Sequence, residues 1–312
     1  MKNPAVSVII PTFNRAEMVL NAIHSIQNQT FQDIEIIVID DGSTDNTASV
    51  LSSLVKNNEI VYFHQANAGS SAARNQGITI ARGKFIAFLD SDDHFLPEKI
   101  KKQVNYLEEN PHIGLVHCWS HKYGLDGKDF GLRNTSWFNG WIYPQILSYW
   151  DILITPSMVV VPAKICLEAG GFDIQFDHAE DLDLWRRIAR KYPFGFIDEV
   201  LVNVSVHPGN QSADPDSRLE YFIKVLENGF RDDPGLGKTL QRKAYAEVYS
   251  RAGLNYLGEG SKTEMVKSRA YLRQGIRLNP IKISAYIGML ITLLSHHFRS
   301  QLVRFWRKSK NR

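Results

Sequence analysis

Phe85-Ile86-Ala87-Phe88-Leu89-Asp90-Ser91-Asp92-Asp93 is an apolar run that ends in three carboxylates within four positions. Five apolar residues in a row match a strand buried on both faces. Like charges this close repel one another unless a cation or a set of donors neutralises them. Hard divalent cations take oxygen ligands, and magnesium is typically held by one or two carboxylates together with substrate phosphates. One expectation is therefore a metal clamp made by Asp90 and Asp92, facing a phosphorylated ligand. The other is a solvated acidic turn capping a helix that begins near Pro97.

Upstream of this run, strand and helix patterns alternate. Val6–Ile10 reads as a β-branched strand stopped by Pro11, followed by a helix from about Arg15 to Gln29. Ile34–Ile39 is a second strand ending at Asp40-Asp41, with a helix capped by Ser43 or Thr44 beyond it. Ile60–Phe63 is a third strand, and Gly69–Ile80 a small-residue helix carrying Arg74. Connections of this length imply parallel strands, right-handed crossovers and helices on both faces of the sheet. Ligands of such sheets bind outside the carboxyl ends of the strands. Thr12-Phe13-Asn14, Asp40-Asp41 and Asp90-Ser91-Asp92 all fall at those ends. No Gly-x-Gly-x-x-Gly follows the first strand and no P-loop is present.

Further along, Leu115–Ser120 and Ser157–Val161 read as strands. The Gly- and Trp-rich stretch between Gly124 and Trp141 reads either as a lid or as a poorly packed insertion. Glu180-Asp181 opens a helix that turns Leu184, Trp185 and Ile188 inward, where the first-turn carboxylates suit the helix dipole. Two further strands are expected at Phe194–Ile197 and Val200–Val206, ending at His207.

The composition is that of a globular chain, with 44% apolar and 22% charged residues in 312. Net charge is +3, but Arg299, Arg304, Arg307, Lys308, Lys310 and Arg312 form a basic end with no acidic residue among them. The body is thus slightly acidic, which argues against a nucleic-acid partner. Cys118 and Cys166 suggest buried thiols in a reducing compartment, and Met1-Lys2-Asn3-Pro4 leads into the first strand without a signal-peptide pattern.

Taken together, these motifs resemble family 2 glycosyltransferases, which have the nucleotide-diphospho-sugar transferase (GT-A) fold. The resemblance rests on Ser7–Arg15, Val38–Asp45, Ala73-Arg74-Asn75-Gln76-Gly77, Ala81–Phe85, Phe88–Asp93, Gly170-Gly171-Phe172-Asp173 and Glu180–Trp185, in that order. It implies an α/β domain with a mixed, mostly parallel sheet over residues 1–215. It also implies residue roles. Pro11, Thr12 and Phe13 would line the nucleobase pocket, with Asp40 and Asp41 beside the base. Arg74 would bind the base or the phosphates, and Asp90 with Ser91 would approach the ribose. Asp92, joined by His207, would hold Mg2+ or Mn2+ on the diphosphate, Asp93 would cap the helix beyond, and Asp181 would be the general base. The implied activity is inverting transfer of a sugar, from a UDP-sugar in the first place, to a glycan or lipid-linked hydroxyl in cell-surface polysaccharide synthesis. A catalytically inactive nucleotide- or glycan-binding module and a sugar-nucleotide pyrophosphorylase are the alternatives. The latter needs a Gly-rich basic loop that Pro11–Arg15 does not supply.

From about Ser217 the pattern is helical only. Residues 216–280 suggest a helical extension containing one tetratricopeptide-like hairpin. Residues 281–312 suggest a separate segment, because Ile283–Phe298 carries no Lys, Arg, Asp or Glu and the basic end follows. That pattern suits a helix lying on an anionic membrane surface, and the expected location is cytoplasmic, peripheral to the inner face of the cell membrane.

Overall fold

The computed structural model describes residues 3–124, 127–133, 138–148, 154–207, 215–258, 261–294 and 298. The chain forms two compact units. The first takes in residues up to 142 and 153–210, and the second takes in 143–152 and everything from 211 onward.

In the first unit, β1 (Val6–Thr12), β2 (Ile34–Asp40), β3 (Val61–His64) and β4 (Phe85–Phe88) are parallel, with α1 (Ala16–Gln27), α2 (Thr47–Lys56) and α3 (Ser70–Ile80) as crossovers. All seven β1 residues are buried, as a central strand with helices on both faces requires. β1 runs through Pro11 rather than stopping there. Ile9 turns its carbonyl toward β4, where it accepts from Leu89, so Pro11 turns its nitrogen to the same side two residues on. The β1–β4 pairing ends at Ile9 and Phe88, so the missing N–H forfeits no ladder bond.

The sheet continues through β5 (His94–Phe95), β6 (Leu115–Gly124), β7 (Asp129–Arg133), β8 (Val159–Pro162) and β9 (Phe194–Val206). Strand order is β3-β2-β1-β4-β8-β6-β9-β5, with β7 paired to β6. β8 is antiparallel to β4 and β6, whereas β6 and β9 are parallel. The mixed sheet expected from the sequence is present, with helices α4 (Lys99–Glu109), α5 (Ala163–Glu168) and α6 (Glu180–Ala189). From β1 the chain builds outward through β2 and β3, then returns to lay β4 on the other side of β1. The strand order therefore reverses between β1 and β4, and the crevice at their carboxyl ends is the topological switch point of the sheet.

Two sequence expectations need correction. Phe194–Ile197 and Val200–Val206 are one strand. Cys118 pairs with Ile197 but Trp119 with Val200, so Asp198 and Glu199 bulge out and interrupt the apolar run. The stretch after Gly124 is in part a β6–β7 hairpin, turning through Gly127 at a φ of +79°. Residues 125–126 and 134–137 lie outside the described residues.

Gly77 brings α3 hard against β1, since a Cβ there would sit 2.4 Å from the buried Ile9 Cγ2. Cys118 and Cys166 are buried free thiols, and burial pushes the Cys118 thiol up to about 11. His117 is wholly buried on β6, with Nε2 2.9 Å from the Phe138 carbonyl. Burial lowers its pKa from 6.5 to about 4. The unfolded chain takes this proton below about pH 6.5 and the folded chain only near 4. The stability His117 contributes is therefore complete above pH 6.5 and is lost, by ~3 kcal/mol, as the pH falls to about 4. In urea unfolding at pH 7 and pH 4.5, His117→Gln is expected to lose less stability on acidification than the natural chain.

The second unit contains α7 (Pro215–Asp232), α8 (Lys238–Asn255), α9 (Lys262–Leu278) and α10 (Ile283–Ile291). Ser261 and Glu264 form a capping box that starts α9. Leu254, Leu257, Met265, Leu272 and Ala285 make one core, so α10 packs with α8 and α9 instead of standing as a separate segment. The short 3-10 turn Gln145–Leu147 packs on α7, and Tyr143–Ser148 belongs to this unit rather than to the sheet domain, an exception to the boundary expected at 215. The basic residues from Arg299 to Arg312 lie outside the described residues.

Candidate active site

The loops after β1 and β2 are stapled together. Asn14, at a φ of +52°, accepts on Oδ1 from the Thr44 N–H at 2.7 Å and the Asp45 N–H at 3.2 Å, and its own N–H donates to Ser43 Oγ at 2.9 Å. This leaves Phe13 44% exposed beside the buried Thr12, whose Oγ1 has no hydrogen-bond partner. An exposed aromatic ring on a rigid loop is a stacking platform.

Asp40 and Asp41 do different work. Asp40 is completely buried and accepts from Tyr62 Oη at 2.6 Å and the Ser43 N–H at 2.8 Å. Burial would raise its pKa, but the hydrogen bonds from Ser43 and Tyr62 hold it below the ordinary value. Asp41 accepts from Gln65 Nε2 at 2.8 Å, the Ala68 N–H at 2.9 Å and the Gly69 N–H at 2.8 Å, at the entry to α3. A carboxylate there is favoured by the helix dipole.

Arg74 lies in the second turn of α3 and is 5% exposed. Its guanidinium donates to Asp90 Oδ1 at 2.7 Å and to Glu180 Oε1 at 3.0 Å, and it lies 5.2 Å from the Phe172 ring centroid. Burial works against the charge, but Asp90, Glu180 and Asp181 outweigh it and raise the pKa. The next residue, Asn75, grips Phe172 by both its N–H, at 2.8 Å, and its carbonyl, at 2.7 Å. Gly171 precedes it at a φ of +67°, where a Cβ would meet Asn75 Oδ1 at 2.5 Å. Glycine is required there on both counts.

The three aspartates after β4 separate into three environments. Asp90 faces Arg74. Asp92 Oδ1 lies 3.1 Å from Arg15 Nη1 and Oδ2 lies 2.9 Å from His207 Nε2. Asp93 points into the protein, accepting from Ser157 Oγ at 2.6 Å and the Ser205 N–H at 3.0 Å. Burial, then the charges of Asp90 and Asp92, drive the Asp93 pKa well above the carboxylate range. The same Ser157 hydroxyl accepts the Asp90 N–H at 3.0 Å. Asp93 is thus not a helix cap, since α4 starts only at Lys99. It is an internal anchor that ties the Asp-x-Asp turn to the start of β8 and the end of β9. Ser91 is buried and accepts from Arg15 Nη1 at 3.3 Å.

α6 begins after Ala179, a non-glycine residue at a φ of +62°, a strain of the kind that clusters at functional sites. Of the three carboxylates in its first turn, Glu180 is held by Arg74. Asp183 is buried and held by Arg186 and Arg187, each at 2.9 Å. Asp181 is partly exposed, accepts the Leu182 N–H at 2.7 Å and acts on the charge of Arg74. Arg187 also donates to the Gly171 carbonyl at 2.7 Å, so these arginines are engaged inside the fold.

The site residues expected from the sequence therefore gather at one sheet edge, with Asp40 turned inward and Pro11 within β1. Sequence reasoning gave no role to Arg15, although it closes the Ser7–Arg15 motif, nor to Ser157 and Ser205, which lie in no motif and reach the site only through folding. Among the described residues no group of three or more His, Cys, Asp or Glu side chains is arranged to hold a metal. Asp90 faces Arg74, whereas Asp92 faces Arg15 and His207. Asp92 and His207 are nonetheless neighbours, and one carboxylate with one imidazole is the partial donor set that suits a divalent ion completed by phosphate oxygens and water.

The glycosyl transferase family 2 model matches residues 7–156. An uncharacterized glycosyltransferase of Rickettsia felis is 39% identical over 235 residues, which is 75% of this chain but 38% of that protein. This chain thus spans well under half the length of that relative. An uncharacterized glycosyltransferase of Methanocaldococcus jannaschii is 33% identical over 217 residues, 66% of this chain and 72% of that protein. Among solved structures, S. aureus TarS 1–349 in complex with UDP-GlcNAc superposes with a TM-score of 0.68 at 17% identity, covering 97% of this chain and 92% of that one. At that identity the likeness speaks for the fold, which is the GT-A fold of the nucleotide-diphospho-sugar transferases. With the sheet order, the loop motifs and the relatives in agreement, this chain belongs to glycosyl transferase family 2.

Proposed function

We propose that the protein transfers a sugar, with inversion, from a nucleotide-diphospho-sugar to a hydroxyl of a glycan or lipid-linked acceptor. The observation that carries this reading is the Arg74 fork, which ties the Asp90 end of the donor crevice to the first turn of α6. Phe13 stacks on the nucleobase, Asp41 and Thr12 lie beside it, and Asp90 meets the ribose hydroxyls. Asp181 takes the proton of the acceptor hydroxyl as its oxygen attacks the anomeric carbon. The bond from that carbon to the diphosphate oxygen breaks on the opposite face, and one displacement inverts the centre. Asp92 and His207 would hold a Mg2+ or Mn2+ ion, whose chemistry is to neutralise charge gathering on the leaving diphosphate. Asp181 is partly exposed at the start of α6, whereas Asp183 is buried, which supports Asp181 as the base.

UDP is the nucleotide favoured, supported by the UDP-GlcNAc complex of the TarS neighbour. A role in cell-surface polysaccharide synthesis belongs to the same reading, as does a place at the inner face of the membrane, where a lipid-linked acceptor would be held. No described helix is long and apolar enough to cross a membrane.

Calorimetry with UDP, GDP and dTDP, each with and without Mn2+, tests the proposal. The expected result is metal-dependent binding, tightest for UDP and weakened in Asp92→Asn. Absence of nucleotide binding under every condition would overturn it.

A further inference from the structure

We propose that the outer face of α10 is a docking surface for an anionic lipid bilayer, in which the helix lies parallel to the membrane plane. The inference rests on the peripheral-membrane reading above and assigns it to a particular face.

Helices at a water-facing surface turn apolar residues inward and polar ones outward. α10 is apolar on its outer side as well. Its inner face is made of the buried Ala285 and Gly288 with the partly buried Met289 and Ile291. Ala285 is fully buried, and Gly288 is seated so closely that a Cβ would lie 2.7 Å from Leu254 Cδ2 and 3.0 Å from Leu272 Cδ2. Just past the helix, Thr292 is buried and accepts on Oγ1 from Arg269 Nε at 3.1 Å. Six large side chains nonetheless lie exposed: Ile283 at 72%, Ile287 52%, Leu290 64% and Leu293 70%, with Tyr286 and Leu294. Single exposed apolar residues are ordinary, but six within twelve positions at helical spacing make a continuous stripe.

Length and charge select the occupant. Nine helical residues extend ~14 Å against the ~30 Å of a hydrocarbon core, so α10 cannot span. No Lys, Arg, Asp or Glu interrupts 283–298, and the fourteen residues that follow carry six basic side chains and no acidic one. In the sequence the first of these basic residues, Arg299, comes five positions after Leu294. A second copy of this chain, docked stripe to stripe about a two-fold axis, would bring two such basic segments together. An anionic bilayer accepts the apolar stripe and the basic charge at once.

The test is co-flotation of the intact chain with phosphatidylcholine vesicles, with and without phosphatidylglycerol, compared with the double variant Ile287→Glu/Leu290→Glu. The intact chain is expected to float with the phosphatidylglycerol vesicles, and the double variant to lose at least about tenfold in partitioning. The variant's thermal unfolding and nucleotide binding should stay as in the natural chain, so that misfolding is recognised. Added salt should weaken the binding without abolishing it, because the apolar stripe remains. Equal flotation of the variant, or no flotation of the intact chain, overturns the proposal. So does a chain that fails to float but sediments as a dimer which the double variant breaks, since the face then belongs to a second copy. Nucleotide calorimetry is read on the same samples, so failure of the docking surface is separable from failure of the transferase reading.

Discussion

Replacing Asp181 by Asn is expected to lower kcat by about 10²–10⁴-fold while leaving nucleotide affinity close to that of the natural chain. The substitution keeps the shape of the side chain and its place in the first turn of α6, and removes only the capacity to accept a proton. Leu182 still has an oxygen to donate to, so the helix start is preserved. The measurement is steady-state transfer together with calorimetric binding of UDP. Loss of turnover with intact binding identifies a group that acts on the acceptor side. Asp183→Asn is expected to behave otherwise, because Asp183 is buried between two arginines and its loss should appear first as instability. Retention of transfer by Asp181→Asn would move the base to another group.

The second large effect concerns Arg74. Truncation to Ala removes a buried cation and leaves Asp90 and Glu180 facing each other without compensation. Breaking a buried pair in this way costs roughly 3 kcal/mol, less than the fully buried limit because Asp90 keeps 27% side-chain exposure. Misplacing the first turn of α6 relative to the Asp-x-Asp turn is expected to lower kcat/KM by ~10²-fold as well. Arg74→Lys keeps the charge but cannot fork to two carboxylates, so it should restore more of the stability than of the activity. Urea unfolding and transfer kinetics on the two variants separate these effects. If Lys recovered both in full, charge alone would be the requirement and the fork would not matter.

Much of the candidate site at the sheet edge was legible in the sequence because its signals are local. Apolar runs such as Val6–Ile10 and Phe85–Leu89 end abruptly in polar residues, and short crossovers oblige those ends to meet at one sheet edge. Asn14, Asp41 and Asp90 were found in this way, each within a residue or two of its strand. The antiparallel entry of β8, the merging of two apolar segments into β9 and the inward anchoring of Asp93, expected instead to cap a helix, were not, because each depends on partners far along the chain. Arg74 meets Glu180 across 106 positions, and Ser205 meets Asp93 across 112. No periodicity records such a meeting. Burial then decides what each charge can do. Asp93 is dry and its carboxyl is driven upward, whereas Asp40, also closed to solvent, is held low by its donors. The amino-acid sequence by itself determined which strands end together and which polar residues they deliver. Only the tertiary structure decided which of those residues are turned inward as anchors and which are left to face a ligand, because desolvation and pairing are properties of the packed neighbourhood and not of the residue.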